Sequence, residues 1–517
     1  MDILNLPPEI VLKIIQNLSP TDLKNNMLVC QRWKVIAENS RLWSWCTIDI
    51  GSVADLQKLK MRRAENIEKI CLENCPPKEL NDVLKALVDQ NLKIIMGFAF
   101  KNLTYVEPKL LANMVNKVEE ADCFFSTKIT DEQAAEVLHN MGKGTRLKRL
   151  QMTNHHILNI QPEILGSAMN KVENLFLEDA LINYGPAFTQ EQIIGIFTAM
   201  SHGTNLKELI LLDIDIALIE PSTLASALSK VEEVRVWRSF LRTGSYDISV
   251  QQAQELFSIL SEETKLKRLF LLTRNMVNID PGVLAKALNN LEEITLSHNM
   301  ITDIQARNVF KKMTEKTFLQ KLRIMKINLS SIQSNILAKG VTQIKELIMV
   351  GCNLTSEQAI AVFEAILQGC AIKILDVSNN NLSSLDPELL AKAINRLTKI
   401  ILDNNELTFI QITRILSLCA EKTNLKKMTI RKTDMADIES ELLGRAVNNL
   451  EKVGLDGCCL RPEQVNCILK LCSEEKSKLK NLDFVSEDLR YVDTELLEQI
   501  ANKFDIDIEL GVYDNPD

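Results

Sequence analysis

The feature that most constrains this chain is an internal repeat made of two alternating segments. One reads DVSNNNLSSLDPELLAKAINRL (376–397), the other reads NLTSEQAIAVFEAILQGCAI (353–372), and relatives of both recur along the chain. Between Leu319 and Leu450, corresponding apolar positions are separated by alternating steps of 25 and 28 residues. This period indicates a stack of structural units, because one such unit cannot bury its own apolar side.

Each unit predicts a short strand followed by a helix. The strand part has the form L-x-x-L-x-L-x-x-(N/C)-x-L, as in Ile372, Leu375, Val377, Asn380 and Leu382, and its alternation suits a strand with one buried face. Two kinds of helix start follow it: Asp386-Pro387 is a cap with proline at the first helical position, and Thr355-x-x-Gln358 is a capping box. The apolar stripe of the first kind of helix is Leu389, Leu390, Ala393, Ile394 and Leu397. This register predicts about 17 strands, from near Ile67 to near Ile508.

The pattern resembles the leucine-rich repeat, and its helix-rich alternation is similar to the ribonuclease-inhibitor-like class. The resemblance covers residues 46–517, with the units at Leu92 and Val118 departing from the consensus. It implies an α/β horseshoe solenoid with parallel strands on the concave side and helices on the convex side.

The first 45 residues do not follow the repeat. The stretch LNLPPEIVLKIIQNLSPTDLKNNMLVCQRWKVIAENSRLWSW predicts three short helices, since Pro8 suits a first helical turn and Ser19-Pro20-Thr21-Asp22 ends one helix and caps the next. So short a segment cannot bury this many apolar and aromatic side chains within itself. We therefore expect it to pack against a partner.

This segment resembles the F-box, through Leu-Pro, Val-Cys-x-x-Trp and Leu-Trp in order at the N-terminus. The sequence accordingly predicts a small three-helix F-box over 1–45 and a repeat domain over 46–517. Ile15, where the family often has Phe, and the polar pair Asn25-Asn26 depart from the family pattern. A helical cap that only seals the first repeat is the alternative. The resemblance implies this set of adaptor-binding residues: Leu6, Pro7, Glu9, Ile10, Leu18, Leu23, Val29, Cys30 and Trp33.

An F-box followed by leucine-rich repeats is similar to the F-box/leucine-rich-repeat family. The resemblance implies a substrate-recognition subunit of a Skp–cullin–F-box ubiquitin ligase, which binds a Skp-type adaptor through the F-box and a protein substrate through the repeats. Such a subunit is not an enzyme and needs no cofactor or metal. The alternative is a non-ligase leucine-rich-repeat scaffold or inhibitor protein.

Composition and charge argue against several other classes of function. The chain has 517 residues, of which 46% are hydrophobic and 25% charged, and a net charge of −8. This acidity argues against nucleic-acid binding, and no apolar run is long enough to predict a membrane span. The start lacks the basic flank of a signal peptide. We therefore expect a cytoplasmic and/or nuclear location with reduced thiols.

The sequence gives little support for a metal-binding or catalytic site. Cys458 occupies the Asn/Cys position of its repeat, as do Cys75 and Cys352, so we expect a structural thiol there. Cys467 and Cys472 are five residues apart on a predicted helix and do not share a face. His155-His156 lies at a strand end, where neighbouring side chains point apart, and Gly-Lys-Gly-Thr (142–145) lacks the spacing of a phosphate-binding loop.

A candidate substrate-binding patch comes from the strand positions that alternate with the buried ones. Insertions lengthen two neighbouring repeats by the loops NYGPAF (183–188) and RTGSYDI (242–248), and such insertions often map to binding loops. Aromatic and arginine residues are common interface anchors, although β-propensity alone also favours aromatics on strands. Val234 and Val236 are expected to face the core, and the nearby arginines suggest a partner with acidic or phosphate groups. The predicted substrate-binding set is Phe176, Tyr184, Ile210, Leu212, Arg235, Trp237, Arg238, Tyr246, Phe270 and Leu272.

Overall fold

The computed structural model describes residues 47–483, except 61–67, 91, 97–101, 122–127, 153–156, 180–187, 238–247, 263, 272–273, 298–299, 316, 422 and 474–476. For 58–60 and 274 only the backbone is described. The predicted three-helix segment and the predicted last strand near Ile508 both lie outside these residues. By packing, the chain divides into two compact units, Met1–Leu256 with Thr264–Leu266 and Phe257–Glu263 with Lys267–Asp517.

In the first unit, short strands alternate with helices along the described residues. The strands are β1 (Thr47–Asp49), β2 (Lys69–Cys71), β3 (Ile94–Met96), β4 (Glu120–Ala121), β5 (Arg149–Met152), β6 (Asn174–Glu178), β7 (Glu208–Leu212) and β8 (Glu233–Trp237). The helices are α1 (Val53–Lys60), α2 (Leu80–Leu87), α3 (Pro108–Lys117), α4 (Asp131–Lys143), α5 (Pro162–Met169), α6 (Gln190–His202) and α7 (Pro221–Ser229), and α8 (Val250–Leu260) continues into the second unit. β1 to β4 pair in chain order, as do β5 to β8, and each pair is parallel.

The second unit repeats this alternation. Its strands are β9 (Arg268–Leu271), β10 (Glu293–Leu296), β11 (Lys321–Met325), β12 (Glu346–Val350), β13 (Ile374–Asp376), β14 (Lys399–Ile401), β15 (Lys427–Thr429), β16 (Lys452–Gly454) and β17 (Asn481–Asp483), all parallel to their neighbours. A 3-10 helix (Arg274–Asn278) precedes the helices α9 (Pro281–Asn289), α10 (Asp303–Met313), α11 (Ser334–Gly340), α12 (Ser356–Leu367), α13 (Pro387–Ile394), α14 (Phe409–Glu421), α15 (Ser440–Asn448) and α16 (Pro462–Ser473). This α/β alternation of helices with parallel strands is consistent with a leucine-rich-repeat solenoid.

The repeat register agrees with the strands, with one correction. Strands β2 to β17 occur at the predicted spacing, and the first predicted strand, near Ile67, is β2. The sequence missed β1, which precedes it and pairs in register with it, Ile48 opposite Ile70. This strand has only three residues and lies before the first recognisable repeat, so the period gave no signal for it.

The predicted helix starts are present. Asp386 caps α13, its carboxylate accepting a hydrogen bond from the backbone N–H of Leu389 at 2.8 Å. Thr355 and Gln358 form the predicted capping box at the start of α12. Leu390 of the predicted apolar stripe is buried, whereas Leu389 is half-buried. Both kinds of helix therefore begin where their capping residues predict.

A recurring glutamine joins each longer unit to the unit before it. The amide of Gln358 is buried and donates to the backbone carbonyls of Leu329 at 2.7 Å and Ile332 at 2.6 Å. Among the described residues, seven glutamines each donate to two carbonyls of the preceding turn, at 2.6 to 2.9 Å. Buried carbonyls need such partners, so these amides satisfy the turns while they stack the units. The seven are Gln133, Gln192, Gln252, Gln305, Gln358, Gln411 and Gln464.

Within the described part of the chain, no helix is both long enough and apolar enough to cross a membrane.

Candidate protein-interaction surface

Three neighbouring strands of the first unit place a set of predicted site residues side by side. Phe176, Ile210 and Arg235 are register partners on β6, β7 and β8, and so are Glu178, Leu212 and Trp237. The residues between them belong to the opposite side of the sheet, since side chains alternate along a strand. We name these six residues the β6–β8 face.

The β6–β8 face is anchored by an exposed tryptophan. Trp237 is 45% exposed, while Phe176, Ile210 and Leu212 are half-buried. Adjacent strands lie about 4.8 Å apart, so side chains in one row shield each other. The face therefore offers a partly covered apolar floor with an open aromatic ring at its edge.

The other side of β8 carries the two valines that were expected to face the core. Val234 is fully buried, as predicted, but Val236 is only half-buried. Its register partner on β7, Leu211, is fully buried. The core thus thins toward the carboxyl end of β8, next to Trp237.

Arg235 is held by carboxylates and stacks near Trp237. Its Nε donates to Glu233 Oε1 at 2.5 Å and lies 3.9 Å from Glu208 Oε1. Glu233 is itself buried. The guanidinium carbon lies 5.9 Å from the centre of the Trp237 ring, within the range of a cation–π interaction. These contacts compensate the arginine charge and orient the indole, so Arg235 acts here as a support for Trp237.

The carboxyl ends of β6 and β7 carry acidic groups. Burial, together with the negative charge of Asp213, raises the pKa of the Glu178 carboxyl. Asp213 adopts a left-handed backbone conformation with φ of 58°, and its N–H donates to the Trp237 carbonyl at 3.0 Å. The β6–β8 face therefore combines an apolar floor, an exposed indole and a flanking acidic group, which suits contact with another protein better than covalent chemistry.

The remaining predicted substrate-binding residues either belong to the second unit or lie outside the described residues. Phe270 is half-buried on β9, in the second unit. Phe188, counted above as part of an insertion loop, is only 6% exposed, because it directly precedes the cap of α6 and packs into the core. Residues outside the described part of the chain are Tyr184, Arg238, Tyr246, Leu272 and all nine predicted adaptor-binding residues.

The repeat-position thiols are structural. Cys75, Cys352 and Cys458 are buried, and the Cys352 thiol donates to the Ile324 carbonyl at 3.5 Å. Burial raises the pKa of Cys352 and of Cys458 to about 12. These thiols are therefore protonated at neutral pH and poor metal ligands or nucleophiles.

The other candidate clusters are Cys467 with Cys472, Gly-Lys-Gly-Thr (142–145) and His155-His156. Over the residues that the structure describes, no three or more His, Cys, Asp or Glu side chains form a group able to hold a metal ion. Gly142 and Lys143 end helix α4. His155 and His156 lie outside the described residues.

One feature escaped the sequence analysis. A cavity lies at the amino ends of the same three strands, β6 to β8, and it is lined by lysines from several repeats of the first unit. Its residues are far apart in sequence and come together only through stacking. The excess of lysines at corresponding positions of the first unit was the signal that could have indicated it.

Two family models match the chain. The F-box-like model matches residues 3–48, reaching into β1, and the Leucine Rich Repeat model matches residues 371–393. The comparison with curated proteins finds no match.

The leucine-rich-repeat match contains the asparagine that typifies this repeat. The Asn380 amide donates to the carbonyls of Met349 and Val377, each at 2.8 Å, and its oxygen accepts from the Cys352 N–H at 3.1 Å. One side chain thus links two consecutive strand exits through their backbones. An F-box-like match at the N-terminus and a leucine-rich-repeat match later in the chain are consistent with an F-box/leucine-rich-repeat protein.

Proposed function

We propose that this chain is the substrate-recognition subunit of a Skp–cullin–F-box ubiquitin ligase. The observation that carries the proposal is the F-box-like match at residues 3–48 followed by stacked strand–helix repeats. F-box domains generally bind Skp-type adaptors, and leucine-rich repeats bind protein partners. In this role the chain positions a substrate, and other subunits perform the ubiquitin transfer.

The adaptor contact lies within the F-box segment 1–45. We propose that Leu6, Pro7, Glu9, Ile10, Leu18, Leu23, Val29, Cys30 and Trp33 form it. The segment is rich in apolar residues that so short a chain cannot bury alone. Burying them against an adaptor would provide the main driving force for docking.

The substrate contact lies on the β6–β8 face, with Trp237 as its anchor. Aromatic side chains that are half-exposed on a firm support are typical interface anchors, because they bury much area and lose little conformational freedom. Arg235 supplies that support. The surrounding half-buried Phe176, Ile210 and Leu212 would complete the apolar centre of the interface.

Adaptor docking is tested with the double variant Leu6→Ala/Pro7→Ala. We expect it to lose co-purification with a purified Skp-type adaptor while its circular dichroism stays that of the parent chain. The variant changes nothing in the repeats, so partner capture through the β6–β8 face should persist. Unchanged adaptor binding would refute the F-box assignment.

Substrate capture is tested with Trp237→Ala, against Phe409→Ala as the matched control. Phe409 is an aromatic residue of comparable exposure, 53%, on helix α14 of the second unit. Because interface anchors cost about 2 kcal/mol or more when truncated, we expect Trp237→Ala to weaken partner capture at least about thirtyfold. Adaptor binding should be unchanged in both variants. Identical partner profiles for the two variants would place the substrate contact elsewhere.

A further inference from the structure

A cavity of about 390 Å³ opens at the amino ends of β6, β7 and β8. Four lysines line it: Lys171 in the turn before β6, Lys207 directly before β7, Lys230 in the turn before β8, and Lys265 in the segment after α8. We name it the lysine cavity. All of its lining residues belong to the first unit.

The lysine cavity has an excess of positive charge. Its lining contains two carboxylates, Glu173 and Glu232, against four ammonium groups. Lys207 pairs with Glu173 at 2.6 Å, and Lys230 donates to the carbonyl of Ser201. Among the residues that the structure describes, the ammonium groups of Lys171 and Lys265 have neither an ion pair nor a hydrogen bond. The cavity therefore carries about two positive charges that the chain itself does not neutralise.

This excess is not a general property of the repeats. Lys171, Lys230 and Lys265 all occupy the position directly before the first buried apolar residue of a repeat unit. In the second unit the same position is mostly uncharged, with Arg396 and Lys478 the exceptions: Asn290, Phe318, Gln343, Ala371, Asn424 and Asn449. In a chain of net charge −8, three lysines at this position concentrate around one cavity.

The remaining lining indicates a polar, strongly anionic ligand. The Thr204 hydroxyl accepts from the Leu206 N–H at 3.1 Å, which leaves its O–H able to donate, and Asn205 is exposed beside it. Leu206 is the one apolar residue in the lining, and it is buried. An excess of two positive charges matches a dianion, and ammonium groups are common ligands of phosphate.

We propose that the lysine cavity binds a phosphate group. Lys207 directly precedes β7 and is three residues before Ile210, so the cavity lies about 10 Å from the nearest part of the β6–β8 face. A phosphate on a segment bound to that face could reach the cavity. This role in substrate selection rests on the proposed function, whereas phosphate binding itself does not.

The test uses the full-length chain and inorganic phosphate as the probe. Thermal unfolding midpoints are measured over a phosphate titration at constant ionic strength, with acetate as the monoanionic comparison. The parent is compared with Lys171→Gln/Lys265→Gln and with the control Lys286→Gln/Lys311→Gln, which removes two exposed lysines from α9 and α10. A second arm replaces phosphate with the peptide Gly-phosphoserine-Gly.

We expect phosphate to raise the midpoint of the parent and the control by the amount that ligand linkage requires. Lys171→Gln/Lys265→Gln should weaken the Kd about tenfold or more, because two charge-assisted hydrogen bonds are lost. If the phosphopeptide binds more tightly than inorganic phosphate, the site is assigned to a phosphorylated protein. If the two bind equally, the site is assigned to free phosphate. The proposal is overturned if acetate has the same effect as phosphate, or if Lys171→Gln/Lys265→Gln responds like the parent. Since no adaptor is present, this failure is distinct from failure of the ligase assignment.

Discussion

Replacing Gln358 by alanine tests how the repeat units are joined. The Gln358 side chain makes three hydrogen bonds: its oxygen accepts from the Thr355 N–H at 2.9 Å, and its amide donates to the carbonyls of Leu329 and Ile332. The Leu329 carbonyl also accepts from the Ile332 N–H at 2.9 Å. The Ile332 carbonyl therefore depends most on Gln358.

The expected cost follows from these partners. A buried carbonyl left without a partner costs about 1–3 kcal/mol, and loss of a helix-capping acceptor costs about 1 kcal/mol. We therefore expect Gln358→Ala to destabilise the joint between these units by about 3 kcal/mol. In a repeat protein, stability is close to a sum over units and their interfaces, so the loss should be local.

Hydrogen exchange measures this local loss. Amides of α12 and of the turn 329–332 should exchange about a hundredfold faster in Gln358→Ala, the factor that corresponds to about 3 kcal/mol. Gln358→Glu should be at least as damaging, because a carboxylate keeps the cap but cannot donate to the two carbonyls. The control is Gln368→Ala, at the exposed C-cap position on the opposite end of the same helix. Equal exchange in Gln358→Ala and Gln368→Ala would refute the reasoning.

Two further predictions concern ionisable groups of the second unit. Burial raises the pKa of the Asp403 carboxyl above its ordinary value of 3.8, so its contribution to stability falls as the pH rises through the interval between the two values. The Asp403→Asn side chain can still accept a hydrogen bond from the Arg431 N–H, so this variant should be more stable than the parent above that pH interval and equally stable below it. Urea unfolding midpoints measured at several pH values check this prediction. A stability difference that does not change with pH would count against it. The exposed Cys459 should react with a thiol reagent in the native chain, whereas the buried Cys458, with a pKa of about 12, should react only on unfolding. Mass spectrometry measures the labelling rate of each thiol, and equal rates would contradict this prediction.

The period of the sequence predicted the order and spacing of the strands because each repeat must bury the same apolar positions against its neighbours. Local signals were also confirmed: Leu375 and Val377 are buried, and Asp386 and Thr355 cap their helices. The capping box itself could be read from Thr355-x-x-Gln358. The donation of Gln358 to the preceding turn could not, since it depends on how neighbouring units stack.

The candidate site was only partly predictable, for a similar reason. Alternation along β8 correctly separated Val234 from Trp237. Alternation says nothing about how far the core extends, so it did not indicate that Val236 is only half-buried. The ion pairs of Arg235 with Glu233 and Glu208 bring together residues on two strands. The lysine cavity brings together residues from several repeats of the first unit. Contacts of this kind require the stacked fold.

The central claim is that the chain joins a Skp-type adaptor to a protein substrate. The most direct measurement is size-exclusion chromatography with light scattering of the full-length chain mixed with a purified Skp-type adaptor. We predict a stable complex with one copy of each protein, lost in Leu6→Ala/Pro7→Ala and retained in Trp237→Ala. If the parent chain and the adaptor elute separately at micromolar concentrations, the chain is instead a leucine-rich-repeat scaffold whose N-terminal segment only caps the repeats.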